Sequence, residues 1–147
     1  MTDKMRSIVS TLIISLFVFL FTYTGLSKIF QHDLFLFTLK QSPLLKPFAG
    51  LISWSLPVFE LCTAFLLIIK KTQRIAIYIT LALLSIFTLC ILYLLVFVSH
   101  LPCSCGGVLQ SLSWNGHLIL NLFLVFLSLF EILLIQMPIY KQAIRAY

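Results

Sequence analysis

The amino-acid sequence predicts an all-α integral membrane protein, a four-transmembrane-helix bundle with its N and C termini in the cytoplasm. Three observations carry the prediction. Of 147 residues, 61% are hydrophobic and only 10% are charged, whereas a soluble domain keeps about 25% charged residues to coat its surface. The apolar residues gather in four stretches of about 22 to 25, and roughly 20 suffice to cross a hydrocarbon core of about 30 Å. The ten Lys and Arg, which give a formal charge of +6, fall at the ends of those stretches or between them. In a soluble protein such a charge would suggest nucleic acid. Here it reads as an orientation signal, and the expected partner is the lipid bilayer. The composition also excludes a disordered tail, a coiled coil and a disulfide-rich secreted module. The length is that of a single four-helix membrane domain, residues 1–147, with no room for a second.

The first span is expected from about Ile8 to Phe30, preceded by Lys4 and Arg6. Two cations before an apolar run also fit a signal peptide, but the run is too long and lacks a small-x-small cleavage site. Residues 31–46 are mixed: Leu34, Phe35, Leu36, Phe37 and Leu39 stand among Gln31, His32, Asp33, Lys40 and Gln41. A short helix or re-entrant piece in the outer interface, stopped by Pro43, is predicted there. The second span runs from about Phe48 to Ile69, and Lys70, Lys71 and Arg74 join it to the third, about Ile75 to Ser99. The fourth runs from about Trp114 to Met137 and is followed by Lys141 and Arg145. All four must be helices, because lipid offers the backbone no hydrogen-bond partners. Seven of the ten cations then share one side, leaving Lys28, Lys40 and Lys46 on the other. The positive-inside rule assigns the seven to the cytoplasm. Trp54, Trp114, Tyr93 and Tyr140 are candidate interfacial anchors, with Trp54 the one placed to lie deeper.

Chemistry concentrates at a few polar positions. The outer connection between spans three and four reads His100-Leu101-Pro102-Cys103-Ser104-Cys105-Gly106-Gly107. Cysteines facing an oxidising compartment are oxidised or exchange disulfides. A Cys-x-Cys ring is small, so its disulfide would be readily reduced, and the two glycines allow a tight turn. These residues read as an exchangeable dithiol, as a static loop clip or free thiols, or as a metal site flanked by His100 and His117. The last has the wrong spacing for zinc. Cys62 and Cys90 sit inside spans, where core packing is the default for cysteine. Ionisable groups inside spans suggest functional sites facing the bundle interior. Lys28 and Glu60 either pair across spans one and two, or Lys28 snorkels to the headgroups while neutral Glu60 bonds to Ser53, Ser55 or Thr63. Glu131 reads as a protonated or inner-interface residue rather than a proton carrier. His117, Asn121 and Ser128 recur at helical spacing on span four, and interhelical hydrogen bonds are their expected role.

Several of these pieces together resemble a known family. Tyr23-Thr24-Gly25-Leu26-Ser27-Lys28 is similar to the glycine–lysine signature of DoxX-like membrane proteins, and Pro57-Val58-Phe59-Glu60 to the Pro-x-x-Glu of the same group. The Cys103-Ser104-Cys105-Gly106-Gly107 loop, followed by Leu112-Ser113-Trp114, His117 and Asn121, resembles the MauE branch, the methylamine-utilisation membrane proteins. The resemblance covers nearly the whole chain. It implies a four-helix bundle in a bacterial inner membrane, with Cys103 and Cys105 as catalytic thiols exchanging electrons with a secreted thioredoxin-like partner. On that reading the chain is a thiol–disulfide oxidoreductase component. The architecture is also similar to the membrane core of the vitamin K epoxide reductase family, which brings a quinone into consideration as electron partner. This chain departs from that family, with Cys-x-Cys in a loop instead of Cys-x-x-Cys at the head of a span. No other cofactor is implied. A second reading is a non-catalytic structural or assembly subunit of a larger membrane complex, in which the thiols clip the loop and lipid-facing helices bind partner subunits. A transporter is a weaker third, since four spans without a repeat supply little polar lining for a path.

Overall fold

A computed structural model describes residues 3–97 and 114–136. Every regular element among them is helical, and four helices are long and apolar enough to cross a membrane. The first, α1, is Asp3–Phe30. It begins more than a turn ahead of the predicted span because the mainly polar stretch Asp3 to Ser7 continues the helix. Its 28 residues extend about 42 Å, longer than the hydrocarbon core, so its first turns reach the headgroups.

The predicted outer interfacial segment is the ten-residue helix α2, His32–Gln41. It stops at Ser42, whose backbone is extended at φ −80° and ψ 120°. Pro43 follows, and its ring bars the residue before it from the helical region. A single 3-10 turn, Lys46–Phe48, leads into α3, Ala49–Ile68. Then come α4, Gln73–Phe97, and α5, Trp114–Gln136. In the turn between α3 and α4, Thr72 Oγ1 donates to the Leu66 carbonyl (2.8 Å) and Gln73 Nε2 to the Leu67 carbonyl (2.9 Å). These bonds satisfy carbonyls that the end of a helix leaves without partners.

The closest pairs are α1 with α3 and α4 with α5; contacts of α3 with α4 and of α1 with α5 close the ring. The face of α1 turned inward carries Ser10, Ile13, Ile14, Phe17, Phe21 and Gly25, the three-and-four spacing of one helical stripe. It meets Ala64 and Leu67 of α3, Ala76, Ile77 and Leu84 of α4, and Leu124, Ile132 and Ile135 of α5 in one core. A smaller cluster, Phe35, Leu39 and Ala49, docks α2 on the start of α3. Large apolar side chains on the outer surfaces, such as Phe19, Phe65, Leu89 and Phe126, face the lipid. Small residues recur at the contacts between helices, as expected where lipid removes the hydrophobic drive and close packing must hold helices together.

Candidate functional site

Two polar centres interrupt the apolar interior, one towards each end of α1. The outer centre is an ion pair. Lys28, in the last turn of α1, reaches Glu60 of α3 with Nζ 2.7 Å from Oε1 and 2.9 Å from Oε2. The Glu60 side chain is 1% exposed and that of Lys28 14%, so protein encloses the pair. Of the two alternatives for these residues, the fold has the pairing. Two hydroxyls offered as other partners for Glu60 are engaged elsewhere: Ser53 donates to the Gly50 carbonyl (2.9 Å) and Thr63 to the Phe59 carbonyl (2.7 Å).

The backbone explains why these side chains meet. Gly25 lies against α3 where Pro57 interrupts its hydrogen-bond ladder, Pro57 having no N–H to return to the Ser53 carbonyl. A Cβ on Gly25 would stand 3.0 Å from Leu61 Cγ and 3.3 Å from the Pro57 carbonyl oxygen. The absent side chain lets α1 and α3 approach closely. Lys28 follows three residues later on the same face, within reach of Glu60.

Helix α2 roofs the pair. Lys28 Nζ lies 5.9 Å from the centre of the Phe35 ring, a cation–π distance. Beside it, His32 Nε2 is 3.2 Å from Ser53 Oγ, and the His32 ring lies 4.5 Å from the Trp54 ring. His32 Nδ1 is 3.7 Å from the exposed Asp33 carboxylate. Trp54 is itself exposed, in the second turn of α3. This His32–Ser53–Trp54 cluster was not singled out in the sequence. Its only signal there is a histidine at the turn after one span and an aromatic near the start of the next.

The predicted polar face of α5 is present: His117 and Ser128 are buried and Asn121 is half-buried. Asn121 and Ser128 do not follow the expected interhelical pattern. Asn121 Nδ2 donates to the His117 carbonyl at 3.1 Å, and Ser128 Oγ to the Val125 carbonyl at 2.8 Å. Short polar side chains find the carbonyl three or four residues back without help from another helix. A bond between α1 and α5 comes from Ser10, whose hydroxyl donates to Glu131 Oε1. Glu131 is fully buried. Ser10 was missed in the sequence, although it falls on the same stripe as Ile13, Ile14 and Phe17.

Cys62 is exposed and Cys90 half-buried. Cys62 is therefore not a core residue, because within a span lipid supplies apolar surroundings as readily as a neighbouring helix does. Cys103 and Cys105, with His100, Gly106 and Gly107, lie outside the described residues, as do Tyr140, Lys141 and Arg145. Among the described residues no group of three His, Cys, Asp or Glu is placed to hold a metal ion. The family model for methylamine utilisation protein MauE matches residues 5–134. Comparison with curated proteins found no match, nor did comparison with solved structures.

Proposed function

This chain belongs to the MauE family, and from that premise we propose that it is the membrane component of an extracytoplasmic thiol–disulfide exchange. Cys103 and Cys105 are its working pair. They face the periplasm from a bacterial inner membrane, and a secreted protein of thioredoxin-like type is the partner. What supports this reading is that Cys103-Ser104-Cys105 stands in the sequence between the end of α4 at Phe97 and the start of α5 at Trp114. Those two helix ends are at the end of the bundle opposite the cation-rich Lys70–Arg74 turn.

The chemistry needs only the two thiols. The Cys105 thiolate attacks one sulfur of a partner disulfide, forming a mixed disulfide and releasing a partner thiolate that takes up a proton. Cys103 then attacks Cys105 in the mixed disulfide, closing the Cys103–Cys105 bond and releasing the second partner thiol. The chain gives up two electrons and two protons, and the partner gains them. Run backwards, the same steps oxidise the partner. The role of the Lys28–Glu60 pair under this reading is to brace α1 against α3 beneath the outer surface.

The test is trapping. Cys103→Ser should accumulate a mixed disulfide through Cys105, seen as a reducible adduct on a non-reducing gel and identified by mass spectrometry. If neither single substitution traps an adduct, and the double serine variant retains full function in cells, thiol exchange is excluded. Thiol alkylation in intact cells, with and without a quinone-site inhibitor, reports whether a bilayer quinone supplies or accepts the electrons. One observation favours the assembly-subunit reading: the most apolar window of α4 is only 11% buried, against 33% for each of the other spans. A monodisperse lone bundle after gentle detergent extraction would count against it.

A further inference from the structure

The inner polar centre has no part in the proposed thiol exchange. It is separated from Lys28 and Glu60 by Ile13, Ile14, Phe17 and Phe21, which fill the interior beside α1. Glu131 is 0% exposed. Its Oε1 accepts the Ser10 hydroxyl, while Oε2 is enclosed with no hydrogen-bond partner among the described residues. Glu60, by contrast, has both oxygens on an ammonium group.

The groups around Glu131 come from two packed helices. From α1 they are Ser10 and, one turn nearer the inner end on the same stripe, the half-buried Arg6. From α4, the polar residues level with this part of α5 are Tyr78, whose hydroxyl accepts Gln136 Nε2 at 2.9 Å, and Thr80. The Tyr78–Gln136 bond sets the register of this antiparallel pair and brings Thr80 within about one turn of Glu131 along the axis. Thr80 is also fully buried, with a hydroxyl that has no partner among the described residues. Glu131 lies about 8 Å along α5 from Gln136, at the end of the bundle where Lys4, Arg6 and the Lys70–Arg74 turn gather.

A carboxylate removed from water is stable only with a counter-charge or a full set of donors. Glu131 has a single hydroxyl donor, so the neutral acid is the form this cavity accommodates. We propose that Glu131 is a proton-binding site in the inner half of the bundle, carrying a proton on Oε2 and exchanging it with the inner aqueous phase. Ser10 holds the other oxygen and so fixes the orientation of the acid. Glu60, held by Lys28, does not take part.

The probe is dicyclohexylcarbodiimide acting on the full chain in phospholipid vesicles. This reagent enters hydrocarbon and adds to a protonated carboxyl, whose proton passes to a carbodiimide nitrogen as its oxygen bonds the central carbon. Mass spectrometry should find the adduct at Glu131 and not at Glu60, with a yield that declines as pH is raised. Glu131→Gln should abolish it. Ser10→Ala, which removes the one hydrogen bond to the carboxyl, should keep the adduct and carry it to higher pH. An adduct at Glu60 but not Glu131 would overturn the proposal, and so would a Glu131 yield indifferent to pH. Protection of Glu131 by sodium at fixed pH would also overturn it, by making the centre a metal-cation site. Repeating the labelling in a chain with Cys103 and Cys105 both replaced by serine separates this outcome from that of the thiol exchange.

Discussion

Lys28 and Glu60 bring opposite charges out of water to a place where each alone would be costly. Their mutual attraction only offsets that desolvation, so the pair ties α1 to α3 more than it adds stability. Removing one partner should therefore cost far more than removing both. We expect Lys28→Met and Glu60→Met each to destabilise the bundle by about 3 kcal/mol, the low end of the range for a broken buried pair. Each survivor has an escape, since Glu60 can take up a proton and Lys28 can extend towards the headgroups. The double variant should lie within about 1 kcal/mol of the parent chain, because well-packed apolar pairs replace buried ion pairs at little cost. Unfolding titrations with a denaturing detergent in mixed micelles complete the double-mutant cycle. Additive single effects would mean that the two charges are not coupled.

Among the elements, α2 and the α1–α3 contact shape the outer end. Phe35 anchors α2 through one small cluster and covers Lys28, so Phe35→Ala should undock α2 without unfolding the spans. Hydrogen exchange should then quicken across residues 32–41 while α1 and α3 keep their protection. Gly25→Val places methyl groups where Leu61 and the Pro57 carbonyl already stand. We expect a loss of about 1–3 kcal/mol from overpacking, with a smaller coupling between Lys28 and Glu60 in the same cycle. These contacts also mark the limit of what the sequence discloses. The four spans and the interfacial helix were legible because lipid forces an apolar segment of that length to be a helix, and Pro43 ends α2. The pairing of Lys28 with Glu60 was legible only as one of two alternatives, because choosing it depends on the register of α1 against α3, which a missing Cβ at Gly25 decides. Ser10 and Glu131, far apart in the chain, depend on the rotation of two helices about their axes. Cys62 was misassigned because hydropathy does not distinguish a residue facing lipid from one facing another helix.

For the whole molecule, the ion pair alters the charge count that sets orientation. With Lys28 neutralised by Glu60, only Lys40 and Lys46 remain as outer cations against Lys4, Arg6, Lys70, Lys71 and Arg74 among the described residues. The bias is therefore steeper than the cation count in the sequence suggests, and Lys28 should contribute nothing to it. Single cysteines in a chain with its four native cysteines replaced by serine test this directly. Gln41→Cys, at the end of α2, should react with a membrane-impermeant maleimide on intact cells, while Ser7→Cys, in the second turn of α1, should react only after permeabilisation. Both residues are exposed, so failure to label reflects the membrane side and not burial. Replacing Lys70, Lys71 and Arg74 together by Gln removes three of the seven cations assigned to the inner side and should let a fraction of chains insert inverted, with Ser7→Cys becoming reactive from outside. Added to that triple variant, Lys28→Met, which removes one outer positive charge, should leave the inverted fraction unchanged. A smaller inverted fraction on adding Lys28→Met would show that Lys28 is read as a free outer charge during insertion, before α1 and α3 have met.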